Sequence, residues 1–167
     1  MPVSNTFDDL DDGRPETPAQ RADRNWNEIL QELRVLQTGT QILTGFLLAL
    51  AFQPSFADLD GGQRVLYLTL IGLSALSAVV ALAPVALHRA VFGRQVKPEL
   101  VRVAHEALRG ALALVSLLLV GVVVFVFDVV VSLGAAVTAG VVLGVIILVL
   151  WIVVPLFVRR RGRRSSR

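Results

Sequence analysis

The side chains that could do chemistry are few, and several fall near the start of the chain. Glu28 and Glu32 are four residues apart, so in a helix they lie on one face. Such a pair can bind a cation or carry a proton beside a histidine such as His88 or His105. The same carboxylates can instead pair with arginines and hold helix ends together. The arginines available for this are Arg34, Arg89, Arg94 and Arg102.

Two adjacent pairs of polar residues complete a predicted cytoplasmic polar cluster. His88 and Arg89 can bind an anion or a lipid headgroup, or cap the helix that precedes them. His105 and Glu106 point to different faces of a helix, so we do not expect them to cooperate. The predicted cluster consists of Asn25, Glu28, Glu32, His88, Arg89, His105 and Glu106.

The sequence predicts no enzyme and no cofactor site. The absence of cysteine excludes disulfides, thiolate metal ligands and thiol catalysis. The Glu-x-x-His spacing of carboxylate–histidine metal sites is missing, as are a nucleophile elbow, a phosphate-binding glycine loop and a zinc signature. We therefore expect no catalytic residue, no metal and no cofactor, and we interpret Gly61 and Gly62 as part of a turn.

A stripe of polar side chains continues from Glu28 and Glu32 into an apolar segment. At about 100° per residue its members share one helix face, opposite a face of leucine and isoleucine. The predicted stripe runs through Asn27, Gln31, Arg34, Thr38, Gln41 and Gly45 and is flanked by Gln37 and Thr44. Its candidates for lining a pore are Arg34, Gln37, Thr38, Gln41 and Thr44. Because lipid cannot satisfy polar groups, we expect the stripe to face other helices or water. It can line a pore in an oligomer or form hydrogen bonds inside a packed bundle.

The composition is typical of an integral membrane protein. The mean hydropathy is +0.69, and 54% of the 167 residues are hydrophobic while 17% are charged. Four apolar segments can each cross a hydrocarbon core of about 30 Å. They are predicted at about residues 33–52, 65–87, 108–127 and 136–158, within a membrane domain at 23–158. We expect an all-α four-helix bundle whose first and third helices extend into the cytoplasm.

Local signals predict where these helices begin and end. Residues 1–22 are predicted to form a disordered acidic tail, with Asp23 or Asn25 as the N-cap of the first helix. Pro84 is expected to kink the end of the second helix. The last turn is expected between Asp128 and Ala135. Small residues suited to close helix packing follow it, at Gly134, Ala136, Gly140 and Gly144.

The distribution of positive charge predicts the orientation in the membrane. With four spans both termini lie on one side, and of the 16 Lys and Arg residues only Arg64 falls on the other. The positive-inside rule therefore predicts that both termini are cytoplasmic. The basic tail at 159–167 is expected to bind anionic lipid headgroups rather than nucleic acid. These contacts are assigned to Arg159, Arg160, Arg161, Arg163 and Arg164.

Several stretches carry a resemblance to a known family. They are RNWNEILQELRVLQTGTQIL from Arg24, the pair Gln63 and Arg64, APVALHR from Ala83 to Arg89, and Lys97. Over roughly residues 24–128 the chain resembles a family of small four-span membrane proteins of actinobacteria with no established biochemical function. The resemblance implies a four-helix fold and a bacterial plasma membrane. Its recurrent polar positions correspond to Asn25, Trp26, Glu28, Glu32, Arg34, Gln37, Gln41, His88 and Arg89.

Two functional hypotheses follow. The first is an oligomeric ion or proton channel or transporter lined by the polar stripe. A homo-oligomer is expected in that case, because one four-span bundle is too thin to enclose a wide aqueous path. The alternative is a non-transporting scaffold or accessory subunit that binds a partner through its cytoplasmic helical cap.

Overall fold

The computed structural model describes residues 17–90 and 97–157, which form four long helices. Helix α1 spans Pro18–Leu50, α2 spans Gly61–Ala90, α3 spans Lys97–Val130 and α4 spans Leu133–Leu148. A 3₁₀ helix at Pro54–Asp58 lies between α1 and α2, and a π-helical turn at Val149–Val153 follows α4. The described ranges contain no strand, so the predicted all-α four-helix bundle is confirmed.

All four helices are long and apolar enough to cross a membrane. The qualifying segments are Asp23–Leu50, Gly61–Ala90, Leu100–Val130 and Leu133–Phe157. Helix α1 has 33 residues and α3 has 34, so each is about 50 Å long, well beyond a hydrocarbon core of about 30 Å. The chain is therefore a multi-pass membrane protein whose first and third helices extend past the bilayer. The predictions for residues 1–16, for Arg94 and for the arginines of the tail lie outside the described residues.

Helix α1 begins five residues before the predicted start. Thr17 is its N-cap: Thr17 Oγ1 accepts a hydrogen bond from the Gln20 amide at 3.3 Å, and Gln20 Oε1 accepts one from the Thr17 amide at 2.9 Å. This is a capping box, with Pro18 at the first helical position. The predicted N-cap at Asp23 or Asn25 is therefore wrong, and residues 18–22 are helical rather than part of a disordered tail.

The other helix ends follow from short polar side chains. The turn between α3 and α4 falls within the predicted range, and Ser132 caps α4 by accepting a hydrogen bond from the Ala135 amide at 3.3 Å. Gly61 and Gly62 are the first residues of α2 and not a separate turn, which corrects the sequence interpretation. Asp60 precedes them, and its Oδ1 accepts a hydrogen bond from the Gln63 amide at 2.8 Å.

The two prolines inside apolar helices are accommodated differently. Helix α2 continues through Pro84 to Ala90, and Pro84 is almost fully buried. The π-helical turn lies just before Pro155, and the Val154 amide donates to the Val149 carbonyl five residues back. Because a proline has no amide hydrogen and its ring crowds the carbonyl four residues back, the wider turn makes room for Pro155.

Helix α3 is the centre of the bundle: it packs against α1, α2 and α4, and α1 also packs against α2. We call the end where α1 begins and α2 ends the terminal end, and the opposite end the turn end. A buried cluster at the terminal end contains Ile29, Leu33, Ala81, Ala104, Leu108 and Ala111. A second cluster towards the turn end contains Leu47, Tyr67, Leu70, Leu118 and Phe125.

Two glycines allow these helices to approach closely. A methyl group at Gly121 would lie 2.5 Å from Leu70 Cδ2 on α2, and one at Gly140 would lie 2.5 Å from Val124 Cγ2 on α3. Gly140 and Ala136 are buried, so the close packing predicted for the fourth span occurs at these two positions. A methyl group at Gly144 would have no neighbour within 4 Å, so Gly144 does not contribute to this packing.

Candidate functional site

The polar stripe of α1 points away from the bundle. The side of α1 that packs on α2 and α3 carries Ile29, Leu33 and Leu47, which are 5%, 3% and 2% exposed. On the opposite side Arg34, Thr38 and Gln41 are exposed. Gln37 and Thr44 are half-buried at the edge of the stripe. The stripe is therefore not a set of hydrogen bonds inside a single bundle, which is one of the two arrangements expected from the sequence.

The hydroxyl groups of the stripe are satisfied within α1 itself. Thr38 Oγ1 donates to the Arg34 carbonyl at 2.9 Å, and Thr44 Oγ1 donates to the Thr40 carbonyl at 2.7 Å. A threonine that bonds the carbonyl four residues back needs no partner from another helix. The expectation that these hydroxyls require other helices or water is therefore wrong. The requirement still holds for the Gln41 amide, which is exposed at a depth where lipid offers no partner.

Glu28 and Glu32 border a groove between α1 and α3 at the terminal end. The groove has a volume of about 480 Å³, and its floor is apolar, with Leu108 and Leu112 contributed by α3. Gln31, Val35 and Leu36 complete the α1 side. Both carboxylates are exposed, and Glu28 pairs with Arg24 on its own helix at 3.5 Å. The groove thus combines an acidic rim with an apolar floor.

The start of α1 meets the end of α2 through an aromatic contact. The rings of Trp26 and His88 are 5.2 Å apart between centroids and are inclined by 32°. Arg89, the next residue, is exposed, and Asn25 is half-buried beside Trp26. Of the predicted polar cluster, His88 is thereby placed against α1. The sequence predicted no contact between Trp26 and His88.

His105 and Glu106 are both exposed on α3. Glu106 pairs with Arg109 on the same helix at 2.8 Å. The ion pairs Arg24–Glu28 and Glu106–Arg109 each lie within one helix. Exposed pairs of this kind contribute less than about 1 kcal/mol, and neither of these two links one helix to another. The predicted pairing of Glu28 and Glu32 with arginines of other helices stays a prediction. Among the described residues, no three His, Asp or Glu side chains form a group suited to a metal ion.

The turn end contains several side-chain hydrogen bonds that the sequence did not predict. The hydroxyl of Tyr67, which is 3% exposed, donates to the Leu47 carbonyl of α1 at 2.9 Å. Gln63 Nε2 donates to Asp128 Oδ2 at 3.1 Å, which joins the start of α2 to the last turn of α3. Arg64 donates to the Leu59 and Ala57 carbonyls at 3.1 and 2.8 Å. The sequence features that could have predicted these bonds are Tyr67 and Asp128, which are isolated polar side chains in long apolar segments.

Residues 15–155 match the model of a protein family described as a family of unknown function (DUF6328), and they make up most of the chain. Neither a curated protein nor a solved structure matches the chain. The predicted relation to a four-span membrane family without an established function is confirmed, whereas the actinobacterial origin stays a prediction.

Proposed function

The chain belongs to the DUF6328 family of unknown function, and we propose that it forms an oligomeric ion or proton channel or transporter lined by the α1 stripe. The observation that supports this proposal most strongly is the direction of the stripe. Arg34, Thr38 and Gln41 face outwards from the bundle, while the apolar side of α1 faces the core. The Thr38 hydroxyl is satisfied within α1, but the Arg34 guanidinium and the Gln41 amide on the outside of a membrane helix need other polar groups or water to cover them.

Association of several copies around the stripes would meet this requirement. The outward sides of α1 would then surround an axis and supply a polar path across the bilayer. Arg34 would lie on this path near the terminal end, with Glu28 and Glu32 at the mouth. The amide and hydroxyl groups of Gln41 and Thr38 would line its interior.

The orientation and location complete this proposal. All Lys and Arg residues except Arg64 belong to segments on the side of the termini, which supports a cytoplasmic terminal end. A bacterial plasma membrane follows from the family resemblance. The tail from Arg159 to Arg164 would hold anionic headgroups at that surface, with about 1 kcal/mol contributed by each basic residue.

Ion and proton flux through purified protein in liposomes, measured across a pH range, tests the proposal. The substitution Gln41→Leu is expected to lower flux several-fold, because it removes an amide from the polar path. Val141→Leu is the matched control, since Val141 is 60% exposed on α4 and the substitution replaces one apolar side chain by another. Absence of flux at every pH, with Gln41→Leu changing only the stability of an oligomer, contradicts transport.

A second candidate function is supported by the groove between α1 and α3. Its acidic rim of Glu28 and Glu32 and its apolar floor suit a basic amphipathic segment of another protein. In that case the chain is a scaffold or accessory subunit without transport. This alternative is supported if the protein gives no flux but binds such a partner, and if the double variant Glu28→Gln/Glu32→Gln no longer binds it.

A further inference from the structure

The outward side of α1 carries a continuous row of exposed residues, which are the members of the predicted stripe followed by Leu48. Its positions alternate between spacings of four and three, and they are Asn27, Gln31, Arg34, Thr38, Gln41, Gly45 and Leu48. We call this row the α1 seam. Any row of residues along one side of an α-helix has this spacing, but the residue types in the α1 seam are unusual. Six of its seven members are polar or glycine, whereas the exposed positions beside it include Val35, Ile42 and Phe46.

Gln41 is the member of the α1 seam whose polar group is left exposed at membrane depth. The Thr38 hydroxyl is occupied by the Arg34 carbonyl. Gln41 lies seven residues beyond Arg34, about 10 Å deeper along the helix. Within residues 17–90 and 97–157, no side chain or carbonyl forms a hydrogen bond with its amide. Exposing an amide to hydrocarbon is costly, so this position favours a partner that supplies hydrogen bonds.

A second copy of the chain supplies the matching group. All copies insert in the same orientation, so their α1 helices are parallel and Gln41 of each copy lies at the same depth. A glutamine amide both donates and accepts, so identical amides can bond to one another, and a polar residue at a seam position fixes the register. A methyl group at Gly45 would have no neighbour within 4 Å, which leaves room for another backbone one turn from Gln41.

Charge complementarity at the terminal end favours the same partner. Arg34 lies on the α1 seam, while Glu28 and Glu32 lie beside the seam at the groove shared with α3. The side chains of all three residues lean towards the N-terminus, and because the Arg34 side chain is longer than that of a glutamate, its guanidinium reaches back towards the two carboxylates. If several copies form a ring, the side of α1 that carries Glu28 and Glu32 faces the α1 seam of the next copy. This arrangement places the guanidinium of one copy against carboxylates of its neighbour.

We propose that the α1 seam binds the α1 seams of identical chains in parallel, with the Gln41 amides hydrogen-bonded in register and Arg34 of each copy beside Glu28 and Glu32 of the next. This interface rests on the proposed function, because it is the contact that a path surrounded by α1 helices needs. It adds the identity of the partner, the direction of the helices and the residue that sets their register.

Cysteine crosslinking of the full-length chain in liposomes tests the interface. The chain has no cysteine, so single substitutions report contacts between copies without background. Oxidation of Gln41→Cys and of Gly45→Cys is expected to give covalent dimers. Val141→Cys is the matched control, because Val141 is 60% exposed on α4 and lies eight residues from the turn end of its helix, against nine for Gln41. Since a disulfide needs Cα atoms within about 7 Å, we expect about tenfold more dimer at the seam.

The role of the amide is tested by two uncharged substitutions at the same position. Gln41→Leu is expected to weaken association in the bilayer about threefold for each hydrogen bond between amides that it removes. Gln41→Asn keeps a donor and an acceptor and is expected to retain most of the association. The fraction of associated chains is measured by energy transfer between labelled copies at varied protein-to-lipid ratios.

Equal dimer yields at Val141→Cys and Gln41→Cys overturn the proposal, and so does a monomer that crosslinks at neither Gln41→Cys nor Gly45→Cys. Crosslinking measures contact between copies, whereas flux measures conduction. The proposed interface and the proposed channel can therefore fail independently. Dimers at the seam without flux support the interface and contradict the channel. Flux from a protein that does not crosslink along the seam contradicts the interface and leaves a channel of another arrangement.

Discussion

Helices α1 and α4 both lie at the outside of the bundle, yet their uncovered sides differ in chemistry. In its most apolar segment α4 has 6% of its residues buried, against 17% for α1. The uncovered side of α4 includes Val141, Val145 and Leu148, all of which lipid solvates without cost. The uncovered side of α1 includes Arg34 and Gln41, which lipid does not solvate.

In a membrane protein, the exposed fraction of a helix therefore does not by itself indicate a binding surface. The chemistry of the exposed side chains has to be considered as well. Helix α4 is the more exposed of the two helices, and its exposed side is apolar; α1 is better packed, and its exposed side carries polar groups. The two helices are also attached to the bundle differently. Helix α4 packs on α3 through small residues such as Gly140, and α1 adds polar links through Tyr67 and Trp26.

Removing the close approach of α4 is expected to have the largest effect on stability. Gly140→Ala places a methyl group 2.5 Å from Val124 Cγ2, and a β-branched side chain in a helix has little rotamer freedom to move away. The expected loss is about 1–3 kcal/mol of unfolding free energy. Thermal unfolding in detergent, followed by circular dichroism, measures it.

Gly144→Ala is the control for this prediction, because nothing lies within 4 Å of its methyl position. It is expected to leave stability unchanged or slightly raised, since alanine favours helix. The double variant Gly140→Ala/Val124→Ala should recover part of the loss. An unchanged midpoint for Gly140→Ala would show that close packing at Gly140 does not hold α4 in place.

Breaking the polar link of α1 is expected to have an intermediate effect. Tyr67→Phe removes the buried hydrogen bond to the Leu47 carbonyl and leaves the ring contacts in place. Hydrogen bonds between membrane helices contribute about 0.6–1.7 kcal/mol, and the loss should fall in that range. Thr69→Val is the control, because its exposed hydroxyl bonds only the Val65 carbonyl of its own helix. Equal melting of the two variants would mean that the link contributes nothing to the attachment of α1.

The smallest effects on stability are expected for two matched threonine substitutions, one on α1 and one on α4. Their effects on flux compare the surroundings of the two helices. Thr38 and Thr138 are both exposed, and each donates to the carbonyl four residues back at 2.9 Å. Replacing either by valine should change stability by no more than about 0.5 kcal/mol. Flux should fall for Thr38→Val and stay constant for Thr138→Val, if only the α1 hydroxyl lines a polar path. A parallel loss of flux in both variants contradicts that distinction.

Much of the fold was predictable because it depends on local properties of the chain. Apolar length determines a span, and helical period places Arg34, Thr38 and Gln41 on one side. The start of α1 was also readable from the Thr-x-x-Gln spacing at Thr17, although the acidic residues after it suggested a later cap. The hydroxyl bonds of the stripe are equally local, since each joins residues four apart.

The sequence by itself determined four membrane-length helices, the extension of α1 and α3 beyond the bilayer, and a polar side of α1. Only the tertiary structure decided that this side faces outwards, that Trp26 meets His88, and that Tyr67 ties α2 to α1. The physical reason lies in the solvent. Lipid is as apolar as leucine, so hydropathy does not reveal which side of a membrane helix packs, and shape and hydrogen bonding between helices decide it.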